Sequence, residues 1–478
     1  MKKKYLGLFL SLTMVATVLA GCGSTSNEAN TEESAASESE ATDDQAAEEE
    51  EAAESTTADS GEKQTITITY KDNGEGEEQQ WYILFKEAYD NWDKKDQYDI
   101  NIAPISGAEG DYYTKVALQL SDPSNCPDIV LEDTFQLASD VAAGYLTNLD
   151  DYVKDYAAWN DGTYVEALKT GSSYDGSVYG IPFSTDARGI WYNKEIFKQA
   201  GLPEDWQPET WQDILDACEA VKQNVSDVIP FWCNSGVATG EATSMQTYEM
   251  LLYGTAEQLL EDDKWIVSSQ AISDTLQFIS DIYTNGYGPS LELVLNGQAT
   301  NTARREYLPQ SKVAMVMDGA WIYSNWEETG VAPWAEYNDV MGLAAMPKQN
   351  GDGTVTMSGG WTISIPENSD CKDAAFELIT AAMDSEAYAD AILRDGSCAT
   401  RNDVAELEEY QSNQFRAFAT AQLENAYFRP QNEQYSTVTT CIQTMVETVV
   451  SGATPEEAMS QYASEVARVV GDDNVVTK

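Results

Sequence analysis

Histidine is absent from all 478 residues. That absence removes Ser-His-Asp and Cys-His nucleophile pairs, His-ligated zinc and HExxH sites. It also removes the side chain that most often serves as a general base near neutral pH. Positive charge is scarce: 27 Lys and Arg stand against 81 Asp and Glu, a net charge of −54. Such a balance repels a phosphate backbone and argues against nucleic acid as a partner. The seven cysteines are far apart and form no CxxC, so metal clusters and thioredoxin-like chemistry lack support. No DxDxDG loop with a distal Glu is present, and no internal repeat is evident. Most enzyme classes are weakened by these gaps, and no cofactor or metal is expected.

What is present begins with an address. Lys2, Lys3 and Lys4 precede an apolar stretch from Leu6 to Leu19, shorter than the ~20 residues a spanning helix needs. Leu19-Ala20-Gly21-Cys22 resembles the lipobox of bacterial lipoprotein signal peptides, which makes residues 1–22 the signal peptide and Cys22 the lipidated first residue of the mature chain. Residues 23–62 hold 14 acids and no base among Ser, Thr, Ala and Asn. Such composition buries too little apolar surface to offset ordering entropy, so an acidic, disordered tether is expected, roughly 35 Å in r.m.s. span. The expected location is extracytoplasmic, at the outer face of the cytoplasmic membrane, with acyl chains as the only membrane contact. Cys126, Cys218, Cys233, Cys371, Cys398 and Cys441 remain in the body. A body of this size needs no disulfide staples, and most of the six are expected as buried free thiols.

Along the body, strand and helix patterns alternate. Thr65–Tyr70 and Asp99–Ile105 read as strands, Trp81–Trp92 and Tyr113–Leu120 as helices, and Pro127–Leu131 as a buried parallel strand. Thr210 caps a helix with the stripe Trp211, Ile214, Leu215, Cys218 and Val221. Val313–Met317 and Trp361–Ile365 are further strands. Thr454-Pro455-Glu456-Glu457 is a capping box opening a helix that faces inward through Ala458, Tyr462 and Val466. The pattern predicts an α/β fold with helices on both sheet faces, divided into two lobes.

The segment Tyr179-Gly-Ile-Pro-Phe-Ser-Thr-Asp186-Ala-Arg188-Gly-Ile-Trp-Tyr-Asn193-Lys194-Glu-Ile-Phe197 resembles the family 1 extracellular solute-binding proteins of ABC importers, the class of maltose- and oligosaccharide-binding proteins. Ala200–Pro203, Pro208–Leu215, Pro127–Val130 with Ala143–Leu149, Val313–Trp321, and Met346-Pro-Lys with Gly359-Gly-Trp361 follow the family in the same order. The resemblance implies a two-lobe, type II periplasmic-binding-protein fold with three chain crossings at the hinge, near Ser184–Asp186, Ser358–Trp361 and Glu424–Arg429. The N-lobe would be 63–184 plus 362–425, and the C-lobe 186–357 plus 428–478. It implies a monomeric receptor that binds a carbohydrate, an oligosaccharide by analogy, and delivers it to permease subunits without chemical change.

A sugar presents apolar C–H faces and a ring of hydroxyls, which call for aromatic plates and for carboxylates, amides or Arg. The expected strand-end positions supply Trp321, Trp361 and Tyr323 beside Asp186, Arg188, Glu132, Asp133 and Asp318. The first loop, with Asn73 and Glu77, matches the family's ligand-touching loop in place. Asp186 and Trp321 match positions where the maltose-binding branch has an acid and a stacking aromatic. Glu132 stands where that branch has an aromatic, so a maltose-like pose is not implied. Arg401 and Tyr435 are further candidates. The competing roles are hinge capping for Asp186 and internal ion pairing for Arg188 and Asp318. An acid-lined aromatic box would equally suit a polyamine or quaternary amine. A secreted glycoside hydrolase or a surface adhesin are the more distant alternatives.

Overall fold

The computed structural model describes residues 63–478 apart from Ala108 and Ser385; the leader, Cys22 and the acidic stretch 23–62 lie outside the described residues. Alternation in Gln64–Thr69 buries Ile66 and Ile68 and leaves Gln64 and Thr65 outside. This strand pairs in parallel with Tyr98–Ile102 on one side and Ile129–Asp133 on the other. Trp361–Ser364 then adds antiparallel to Ile129–Asp133, and Gly180–Pro182 closes the five-stranded sheet. Because strand side chains alternate, Ile129 and Leu131 enter one core while Val130 enters another. The first core is filled by Trp81, Leu84 and Phe85 of the helix Gln80–Asn91 and by Leu378 and Ile379 of Lys372–Asp384.

A second, four-stranded sheet runs Met341–Ala344, Arg188–Asn193, Val313–Gly319, Ile229–Trp232. Here too the period of two divides the cores. Ile190, Tyr192, Met315 and Met317 face the helices Trp211–Asn224, Gln270–Thr284, Tyr435–Val450 and Pro455–Val470. Trp191 and Val316 face the opposite side with Trp326 and Phe415. Capping boxes at Thr210 with Asp213 and at Thr454 with Glu457 start two of these helices where the sequence places them. In the first of them Ala217 is buried and Leu215 only half-buried, a small shift of the expected stripe.

Three stretches carry the chain between the sheets. It leaves Gly180–Pro182 through Ser184–Thr185 to Arg188, returns along Thr354–Ser358 to Trp361, and passes again at Ala426–Phe428, which pairs in parallel with Thr354–Ser358. Side chains stitch them together: Thr356 Oγ1 accepts from Arg188 N at 2.7 Å and donates to its carbonyl at 3.0 Å. Thr185 Oγ1 lies 3.0 Å from Ser358 Oγ and donates to Gly359 O at 3.2 Å. Gly360 has φ +135°, and a Cβ there would lie 1.9 Å from Ser184 O, so no other residue fits this crossing. All six body cysteines are free, five of them buried. Among the described residues no helix is long and apolar enough to cross a membrane.

Candidate binding cleft

A cavity of about 240 Å³ lies between loops and helices that adjoin the first sheet and others that adjoin the second. One wall comes from the loop after the first strand and its helix (Lys71, Asp72, Asn73, Glu75, Gln79, Gln80, Trp81), with Trp361, Arg394 and Asp395. The other comes from Gln298, Thr300, Asn301, Arg304, Arg305, Trp321, Ser324 and Asn325. The loop is shaped by left-handed Gly74 and Gly76 and by Asp72 Oδ1 and Asn73 Oδ1, which accept from Gly74 N at 2.8 Å and Glu75 N at 2.9 Å. Trp361 is fixed edge-on against Trp81 and Tyr112, with ring centroids 6.4 and 6.0 Å away.

The opposite wall is built on buried indoles. Trp191 Nε1 donates to Gly319 O at 2.8 Å, and Trp326 Nε1 donates to Arg304 O at 2.7 Å. Arg304 and Arg305 sit on a widened, π-type turn, Ala303–Tyr307, a distortion frequent at functional sites. Arg304 grips the buried Asp318 with Nε at 2.7 Å and Nη2 at 2.6 Å, while Arg305 Nε donates to Asn325 Oδ1 at 3.0 Å. Burial pushes Asp395 up to about 6, against the pull of hydrogen bonds that include one from Gln80 Nε2 at 2.6 Å. Burial also raises Glu75, whose carboxylate accepts from Asn73 Nδ2 at 2.8 Å.

Of the sequence-predicted residues, Asn73, Trp321 and Trp361 line this cavity. Glu77 points to solvent, and Glu75, two residues back, takes the inward place in the loop. Asp318 lies behind the wall as the counterion of Arg304. Asp186 and Arg188 form a largely buried pair, 12% and 7% exposed, at a crossing. Asp186 Oδ1 accepts from Gly359 N at 2.9 Å, Arg188 Nη1 donates to Met357 O at 3.0 Å, and the Arg188 guanidinium lies 4.9 Å from the Trp321 ring centroid. They therefore hold the hinge and the indole and do not line the cavity.

The remaining candidates lie elsewhere, paired or packed in the interior. Asp133 pairs with Arg429, which also donates to Glu241 at 3.1 Å across the crossings. Glu132 is buried beside Asp140; burial first, then that second carboxylate, raises it well above the usual carboxylate range. Tyr323 is buried against Phe415, with Arg416 5.8 Å from its ring centroid. Arg401 pairs with Asp384 and Asp403. Tyr435 is fully buried and donates to Glu249 Oε1 at 2.6 Å. Sequence reasoning missed Lys71, Arg304, Arg305, Arg394 and Asp395. The usable signal was scarcity: in a chain with eight arginines, Arg304-Arg305 is the one adjacent pair.

The sequence profile of the bacterial extracellular solute-binding protein family matches residues 73–389. A protein of Brucella abortus (strain 2308), named only as a binding protein, is 22% identical over 359 residues, 74% of this chain and 82% of that one. Among solved structures, the GacH receptor of Streptomyces glaucescens, studied with acarbose, aligns with TM-score 0.72 and 18% identity over 86% of this chain and 99% of its own. A solute-binding protein of Thermotoga lettingae bound with α-D-tagatose aligns with TM-score 0.73 and 24% identity over 85% and 100%. These structures share the two-lobe, type II fold.

Proposed function

Because the chain belongs to the bacterial extracellular solute-binding proteins, matched over residues 73–389, we propose that it captures a carbohydrate or polyol in the cleft and delivers it to the permease of an ABC importer. The observation that carries this reading is the cavity itself: two indoles, Trp321 and Trp361, among carboxylates, amides and hydroxyls that match the two faces of a sugar. The receptor structures with acarbose and tagatose support the same ligand class. The amine alternative is disfavoured because Arg305, half-buried and without a carboxylate partner among the described residues, lines the space. We place the lobes at 63–184 with 362–425 and at 186–357 with 428–478. The exception is the helix Gln414–Gln422, whose Phe415 packs with Trp191 and Trp326.

Lipid attachment at Cys22 and the tether 23–62 would keep this monomeric body beside its permease. Replacing Cys22 with Ala is expected to block palmitate labelling and release the protein into the medium. Calorimetry of the mature protein against mono- and disaccharides, polyols, spermidine and choline tests the cargo: heat from sugars or polyols is expected, and heat from the amines alone would refute it.

A further inference from the structure

We propose that the captured solute carries an anionic group, a carboxylate or a phosphate ester, that pairs with the guanidinium of Arg305. This rests on the reading of the cavity as a sugar site and adds the charge class of its occupant. The eight arginines are informative together. Arg188, Arg304, Arg394, Arg401 and Arg429 each pair with at least one carboxylate. Arg416 donates to the carbonyls of Tyr410 and Leu393 and lies over two tyrosine rings, and Arg468 stands on the surface. Arg305 is half-buried in the cavity wall and has no carboxylate partner among the described residues.

Its donors meet only neutral acceptors: Nε reaches Asn325 Oδ1 at 3.0 Å, and Nη2 reaches Asn73 O, across the cleft, at a long 3.5 Å. A guanidinium partly removed from water beside a second one, without a counterion, is an unfavourable arrangement that an arriving anion relieves. Burial and Arg304 lower the Arg305 pKa accordingly, with Glu75 acting in the opposite sense. Glu75 is close enough to be felt but forms no ion pair with it. The planar fork of donors suits a carboxylate or phosphate oxygen pair, and Thr300 and Asn301 line the same wall. Asp72, Asp395 and Gln80 stand on the opposite wall and can accept from or donate to hydroxyls. A polyhydroxylated acid satisfies both walls; a neutral sugar leaves Arg305 without a counterion.

The test is calorimetry of the full mature chain with matched pairs: glucose and glucuronate, galactose and galacturonate, glucose and glucose 6-phosphate, glycerol and glycerol 3-phosphate. In a responding pair the acid is expected to bind at least tenfold tighter, with the advantage shrinking in high salt. The carboxylate and phosphate pairs decide which acid is meant. Arg305→Gln is expected to reduce affinity for the acid at least tenfold more than for its neutral partner, and Arg305→Lys to restore part of the difference. Because the wild-type ratio stands alone, misfolding of a variant does not rescue the idea. Responding pairs in which the neutral sugar binds as well as its acid overturn this inference and leave the sugar receptor standing. Silence from every pair, with heat only from amines, overturns both.

Discussion

Trp321 is held in place before any solute arrives. Gly319 lies so close to its six-membered ring that a Cβ there would fall 1.9 Å from Cζ3, and Arg188 sits 4.9 Å from the ring centroid, a cation–π distance. Asp186 in turn anchors Arg188 and accepts from Gly359 N, so one short chain of contacts joins the crossing to the cavity wall. Trp361→Ala and Trp321→Ala are each expected to weaken binding of the preferred sugar more than tenfold, or about 1.4 kcal/mol, with unchanged far-ultraviolet circular dichroism. Asp186→Ala leaves a buried guanidinium without its carboxylate and is expected to cost about 3 kcal/mol of stability, read from the urea midpoint. A midpoint equal to wild type would show that the pair holds nothing. Trp321 and Trp361 were legible as cleft residues because one follows a strand and the other opens one. Asp186 and Arg188 share that placement, yet residue type could not say that they would meet each other first.

At the scale of elements, the sheets and helices were readable because their periodicities are driven by burial. Gln64–Thr69 alternates and Ile129–Asp133 is apolar throughout its first residues; the capped helices follow 3.6-residue stripes. The cavity wall at Ala303–Tyr307 was not readable. A π-type turn has no apolar stripe to announce it, and its position depends on Trp326 reaching the Arg304 carbonyl from a distant segment. Arg401 and Tyr435 were misplaced for a related reason: their long-range partners, Asp384 and Glu249, are set by packing and not by spacing. The crossings offer a direct test. Gly360→Ala combines a left-handed backbone with a collision against Ser184 O and is expected to cost at least about 1–3 kcal/mol, measured by thermal or urea unfolding. Wild-type stability in that variant would show that the crossings tolerate a shift there.

The whole molecule keeps several carboxyls at its interior whose pKa burial raises. Burial, with Glu241 adding to it, pushes Glu249 up to about 8, while Tyr435, Arg429 and Arg188 act the other way. Burial pushes Asp140 up to about 6. A carboxyl whose folded pKa exceeds its unfolded value holds a proton that the unfolded chain releases. Stability from Glu249 is therefore present below about 4.5 and is lost as pH rises toward about 8. Glu249→Gln, neutral at every pH, is expected to gain melting temperature relative to wild type between pH 5 and pH 8; parallel curves would contradict the burial of an ionisable acid there. Overall architecture was the most legible level, because blocks spread from Pro127 to Trp361 agree in order. Cargo was the least, because it depends on which walls meet across the cleft.

The most direct measurement is a crystal structure of the mature protein grown with the sugar or sugar acid that gives the largest calorimetric heat. A ring seated between Trp321 and Trp361, with hydroxyls bonded to Asp72 or Asp395, is the expected result. The same compound bound outside that cavity, or a cavity empty at saturating concentration, would contradict it.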